Sequence, residues 1–406
     1  MFSYKRFRDN VEVKLSSMKQ NWNASRNGLP VTLRETEVLW VKEKLETESR
    51  QDLSQGALSA TDWQLVERIR RETEKHNRNN VTRTEAYRIF FFHHPELHWA
   101  FLAHMVSRNG GWNMTDLQGS LLSTLLNKQE RIHLFEFFER ANALIFRDAY
   151  PQLLLYEESK NQQKNLFYLL PAFHVSRFMK PFWDRFIETK ESSLITTALI
   201  INEQRYMEER VIQNRYFREN VIETLKFKGQ EAVQLTQVIF PYVTSTEKAP
   251  SSMRLAGLII ENFADVKERI ETGKKLYAIL FGIEEVLQGA LHFAKTTPHT
   301  GSRADFWASL FSAKEVYKNK QYEKERLNAC QIIDGAPPFY SPFLEDAWND
   351  HPFQPPQHGD WWKDDTAFEY MKAVSVPRLF DMTSEFCFGL NKLELVVLAK
   401  AAIKKR

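Results

Sequence analysis

A chain of 406 residues with 43% hydrophobic and 13% aromatic content can bury a large core, and composition excludes disorder over any long stretch. Its 55 basic and 52 acidic residues nearly balance, which argues against a protein built mainly to neutralise a phosphate backbone. No apolar run approaches the roughly 18 to 20 residues that span a bilayer. No secretory h-region follows the basic start, and Cys330 and Cys387 fit neither a disulfide framework nor a metal-ligand spacing. A soluble, cytoplasmic protein in a reducing compartment is expected.

In chain order, the first segment is basic: Lys5, Arg6, Arg8, Lys14, Lys19, Arg26 and Arg34 stand against Asp9 and Glu12. A solvated arm or first helix explains this, and contact with an anionic partner, nucleic acid or membrane, is the alternative. Stripes of 3.6 period then predict helices at 35–50, 62–77, 83–92, 95–108, 115–126, 128–148, 151–170 and 174–189. Further helices are predicted at 192–227, 230–240, 252–280, 283–295, 303–329, 363–373 and 378–404, the last broken at Gly389. Capping boxes are read at Thr61 with Gln64, Thr82 with Glu85 and, in weaker form, Ser302 with Asp305. The expected fold is all-α, a multi-helix globular body, with a loop near Thr244 to Ser252.

From Asp334 to Pro377 the composition shifts. Pro337, Pro338, Pro342, Pro352, Pro355, Pro356 and Pro377 alternate with aromatics that include Trp348, Trp361 and Trp362. Proline prevents regular structure, and so many large aromatics would not be left in water; an ordered irregular strap on the helical body is expected. The chain divides accordingly into a basic N-terminal arm (1–34), a helical body (35–333), the strap (334–377) and a C-terminal helical segment packed on the body (378–406).

Three stretches, His94 to Asp116, HTGSRADFWASLF at 299–311 and YSPFLEDAW at 340–348, resemble an uncharacterised family, a domain of unknown function, of Gram-positive spore-forming bacteria. The resemblance covers most of the chain. It implies a bacterial cytosolic setting and supplies no activity, cofactor or catalytic residue.

Candidate chemistry concentrates between Phe90 and Asp116, which holds His93, His94, His98 and His104. On helix 95–108, Leu97, Trp99, Phe101, Leu102, Met105 and Val106 cover more than half the circumference, so the helix is expected to be largely buried. His98 lies inside that arc, and His104 with Arg108 sits on its edge. The two histidines diverge by about 120° and form no metal pair on one face. They are core hydrogen-bonders, or general acid/base or ligand groups completed by another helix. The turn Asn109, Gly110, Gly111 is expected to stop the helix and, with Asn113, to leave either a capped junction or an anion site.

Glu130 and His133 form half of a ferritin-like E-x-x-H metal pattern, but the chain has no second copy. Glu203 shares an apolar stripe with Leu199 and Met207, and with Arg210 and Asn214, as a buried ion pair or as a carboxylate orienting His98 or His104. The strap carries Asp334, Asp346, Asp350, His351, His358 and Asp360; HGDWW at 358–362 would be a lid or a cover over an apolar groove. Hydrolase-elbow and phosphate-loop motifs are absent from the sequence. Two functional classes follow. One is a binding or scaffold protein that meets a protein partner through its aromatic surface. The other is a hydrolase or metal-assisted enzyme with a pocket of His98, His104, Arg108, Asn109, Asn113 and Glu203. The sequence specifies no cofactor.

Overall fold

In the computed structural model, residues 4–50, 58–223, 233–246, 249–315, 324–352, 355 and 359–404 are described. Helix starts follow capping chemistry, though displaced from the expected boxes. Ser59 and Asp62 cap each other at the start of Ala60–His76, as do Asn79 and Thr82 before Asn80–His93, and Asn127 and Glu130 before Lys128–Gln162. In chain order the longer helices are α1 (Tyr4–Asn27), α2 (Glu35–Arg50), α3 (Ala60–His76), α4 (Asn80–His93), α5 (His98–Asp116) and α6 (Lys128–Gln162). They continue as α7 (Met179–Thr189), α8 (Ser192–Met207), α9 (Val266–Gly282), α10 (Glu284–Thr296) and α11 (Thr383–Lys404).

The chain is mostly helical, but the all-α expectation needs correction. Where helix was predicted at 230–240 and over the first part of 252–280, β1 (Gln237–Thr246) and β2 (Ala249–Ile259) form an antiparallel hairpin, while the later part of 252–280 is helical as expected, in α9. Ile239, Phe240, Pro241, Tyr242 and Thr244 are all buried, so β1 shows no in/out alternation for a sequence pattern to reveal. Among the described residues of the predicted helix 303–329, only the single turn Ala304–Trp307 is helical, and Phe311–Ser312 and Leu327–Asn328 form two-residue pairings with Phe339–Tyr340 and Gln331–Ile332; residues 316–323 lie outside the described residues. Two predicted breaks are not found: α6 runs through Pro151 and α11 through Gly389.

Helix α5 lies at the centre, against α4, α6, α8, α9 and β1. At the far side of the hairpin, Met382 donates to Leu255 O and Gly257 to Phe380 O, so residues 380–382 continue the sheet and lead into α11. Buried Asp381 accepts hydrogen bonds from Ser17 of α1, Arg254 of β2 and Tyr242 of β1. Asn21 of α1 accepts from the Phe380 and Asp381 N–H groups. The basic start is therefore a helix held by its polar inner face. Val31 pairs in turn with Val374 at the end of the strap.

Cys330 and Cys387 are bonded, with Cα atoms 5.4 Å apart, which corrects the expectation of two separate thiols. Their distance in sequence concealed a pairing created by the turn after Leu327–Asn328 packing on α11. Among the described residues no single helix is long and apolar enough to cross a membrane.

The described part of the strap packs on the helical body. Trp348 stacks on Phe135 of α6 with ring centroids 4.2 Å apart and donates to Met114 O. The Trp361 indole N–H reaches Asn202, which donates to Asp148; Gln152 donates to the same carboxylate and accepts from Trp183. His358 of the HGDWW motif lies outside the described residues. Trp348→Ala is expected to cost about 2 kcal/mol in a denaturant melt and to accelerate protease cleavage within 334–352; an unchanged melt and cleavage pattern would contradict this packing.

Candidate functional site

Helix α5 does not stop at Asn109. It continues through Gly110 and Gly111 to Asp116, and Val106 is its one exposed residue. The two glycines cost helix stability, and what they provide is close approach rather than a turn. A Cβ on Gly111 would lie 2.3 Å from Asn80 Oδ1 and 2.6 Å from His299 Nε2; one on Gly110 would lie 3.1 Å from the Asn142 amide. With the helix continuous, no second helix start exists here to offer free N–H groups, and the anion-site alternative loses its basis.

The polar residues of α5 point in different directions. Asn109 docks the hairpin: its amide donates to Gln237 O at 3.0 Å and its carbonyl accepts from Ile239 N at 3.1 Å, as a neighbouring strand would. Asn113 donates to Leu235 O and accepts from Arg303, whose Nε also bonds Asp116 at 2.7 Å. His104 Nδ1 meets Thr84 O at 2.9 Å. Burial, reinforced by Arg108, holds its pKa well below the usual histidine range, so the ring is neutral at pH 7. Arg108 donates to Thr297 O and lies over the Phe293 ring at 4.6 Å; burial lowers its pKa to about 10. His98 sits apart from all of these. It bonds Tyr277 Oη at 2.8 Å and stacks on Phe281, and burial lowers its pKa to about 4.

The expected cluster thus divides. A cavity of about 170 Å³ lies beside α5, walled by α6, α8, α9 and the stretch 235–238. Glu203, Asn109 and Asn113 line it, whereas His98, His104 and Arg108 do not. The lining is mainly apolar, with Trp99, Leu102, Phe137, Phe138, Met207 and Leu276 among it. Glu203 is half-buried and faces this cavity, where its carboxyl is largely desolvated. That desolvation, opposed by hydrogen bonds from Gln204 and the Trp99 indole, raises its pKa to about 8. Glu203 is therefore mostly protonated at pH 7. Its expected partner Arg210 instead binds Gly359 O and its own Tyr206. The cavity's arginine is Arg269, held by Gln204, Phe263 O and Glu208. Beyond Met207 the helix loosens into a π-helical turn, Glu208–Ile212, a distortion that often accompanies functional sites.

Glu130 spends its carboxylate on the Asn127 cap, and His133 bonds Gln129. Among the described residues no group of three or more His, Cys, Asp or Glu is placed to hold a metal ion. Sequence reasoning missed the second half of the buried network: His299 on Asn80 at 2.8 Å, Asp305 on Thr300, Arg303 on Asp116 and Ser302 on Ser341. The signal was the polar run His299 to Asp305, which sequence reasoning reads for its capping box and its family resemblance but not as a source of buried polar partners.

The geometry defines a mostly helical protein with a buried polar network on one side of its central helix and an apolar, carboxyl-bearing cavity on the other. The chain belongs to the family described as protein of unknown function (DUF2515), which matches residues 75–385. It is 44% identical over 241 residues to the uncharacterized protein YppC of Bacillus subtilis (strain 168), covering 59% of this chain and 72% of that protein. No solved structure matches.

Gly111→Ala is expected to destabilise by about 2 kcal/mol, although alanine is the better helix former by about 1 kcal/mol. Gly110→Ala, facing a movable amide, should be milder. Equal effects in thermal melts of the two variants would refute the close-approach role of Gly111.

Proposed function

We propose that this protein is a binding protein for a small, largely apolar molecule, held in the cavity with Glu203 as its hydrogen-bonding handle. The observation that carries this reading is a carboxyl kept neutral inside an apolar chamber of about 170 Å³. A volume near that admits a molecule of about one aromatic ring, and the opening of the cavity to solvent gives such a molecule a way in. A neutral carboxylic acid offers such a guest one donor and one acceptor without the cost of a buried charge. The hydrolase alternative requires His98 or His104 beside Glu203, and neither lines the cavity. A cytoplasmic setting was expected from unpaired cysteines, and the bonded pair removes that support.

Thermal-shift and ligand-observed NMR screening with benzene, phenol and indole tests the proposal. A ligand present at about 100 times its Kd should add about 2.7 kcal/mol of stability. Ala103→Phe, which fills the chamber, should abolish the shift. A shift that survives in this variant would move the binding elsewhere.

The same carboxyl makes a pH prediction. Glu203 ionises near its ordinary 4.5 when unfolded but only at about 8 when folded. Between those values the unfolded state holds fewer protons, so stability falls as pH rises. Glu203→Gln should flatten this decline and make the protein relatively more stable than wild type at pH 8 than at pH 5. An unchanged pH profile of the melting temperature would show that Glu203 is not desolvated.

A further inference from the structure

The described large apolar side chains that are at least half exposed are not scattered. All but Leu39 lie on α1 (Leu15, Met18, Trp22), just after it (Leu29), just before α11 (Leu379) or on α11 (Phe388, Ile403). Trp22, Leu379 and Ile403 are 66, 72 and 74% exposed, and gathered on two adjoining helices rather than scattered singly. The two helices pack on each other, joined by the Ser17 and Asn21 contacts to residues 380 and 381. Leu379 therefore stands next to the Trp22 end of α1.

The pattern on α1 is directional. At 100° per residue, Val11, Leu15, Met18 and Trp22 fall within about 60° of one another, roughly 90 to 130° around the helix from the inward Asn21 and Ser17. Arg8 and Lys19 border this stripe on one side and Lys14 on the other, all three exposed. On α11, Phe388, Leu395, Ala399 and Ile403 form a second outward stripe, with Lys392 over the Phe388 ring at 4.6 Å. Helix α1 carries six basic residues against two acidic, and α11 three against two. Together they exceed the net +3 of the entire chain and leave the remainder net negative.

We propose that this face docks on an anionic lipid surface, with the apolar stripes entering the headgroup boundary and the bordering lysines and arginines meeting lipid phosphates. An apolar stripe with tryptophan, edged by basic side chains long enough to reach outward, is the geometry of a helix lying in the membrane plane. Charge decides against the other occupants. In a two-fold dimer the same patch meets itself, which would set the basic border of α1 against its own copy. A nucleic-acid backbone would match the border and leave the apolar stripe without a partner. The proposal is independent of the cavity and its ligand.

The test is flotation of the full-length protein with vesicles of phosphatidylcholine alone and of phosphatidylcholine with phosphatidylglycerol. The protein should float with the anionic vesicles, and at least about tenfold less with neutral ones or in about 1 M salt. The triple variant Leu15→Ser, Trp22→Ser, Phe388→Ser should lose about tenfold or more in binding, with circular dichroism unchanged because these side chains are exposed. Lys14→Glu with Lys19→Glu should remove the preference for anionic lipid, which keeps the test decisive if the triple variant folds poorly. Absence of flotation, equal binding to both vesicle types or undiminished binding by the charge-reversed protein would overturn the proposal. So would a wild-type protein that self-associates or binds duplex DNA through this face while ignoring vesicles.

Discussion

Desolvation of the polar side chains on α5 is the constraint from which the rest of the arrangement follows. A helix buried on nearly all sides while carrying His104, Ser107, Arg108, Asn109, Asn113 and Thr115 must find a partner for each, since an unpaired buried polar group costs about 1 to 3 kcal/mol. Those partners come from separate parts of the chain: Asn80 and Thr84 on α4, the 297–303 segment, and the backbone of residues 235–239. Each bond is therefore also a long-range fastening. Asn109 shows it most directly, because one amide replaces a whole neighbouring strand at the edge of β1.

That edge explains why the hairpin was invisible in the sequence while most helices were not. The α2, α3, α4 and α10 helices carry one-sided apolar stripes and lie within a few residues of their predicted positions. β1 is buried on both faces, so VIFPYV reads as an apolar run that periodicity cannot assign to helix or strand. Pro241 argued further against a strand. It is tolerated because its missing N–H lies on the same edge as the Ile239 N–H, two residues on, away from the β2 ladder. The Gly110–Gly111 pair misled for a related reason. Glycine marks either a turn or a close approach, and only the positions of Asn80 and His299 decide which.

Of the candidate site, the sequence pointed to the right helix and to Glu203, but it could not say which side chains meet. His104 and Arg108 are neighbours on the wheel and lie buried on the side of α5 against which Asn80 and His299 pack; Glu203, more than ninety residues away in sequence, faces the opposite side of α5. Angular position on one helix fixes direction but not what lies in that direction. The disulfide was beyond reach for the same reason, since the meeting of Cys330 with Cys387 depends on where α11 packs.

The cavity is costly for a fold to retain. A cleft of this volume leaves its apolar lining without packed neighbours and so forgoes part of the burial that stabilises a fold, whose net margin is only about 5 to 15 kcal/mol. Glu203 adds a second penalty that grows as pH rises toward its folded pKa of about 8. Asp148, raised by burial to about 7, adds a third of the same sign, eased by its bonds to Asn202 and Gln152. Replacing Glu203 with a larger apolar residue would remove the first two penalties together, and repacking a core is among the easier routes to stability. A chamber and an acid that each weaken the fold, placed together and walled by a hairpin that Asn109 holds in position, form an arrangement that a ligand would stabilise and that packing alone would not maintain.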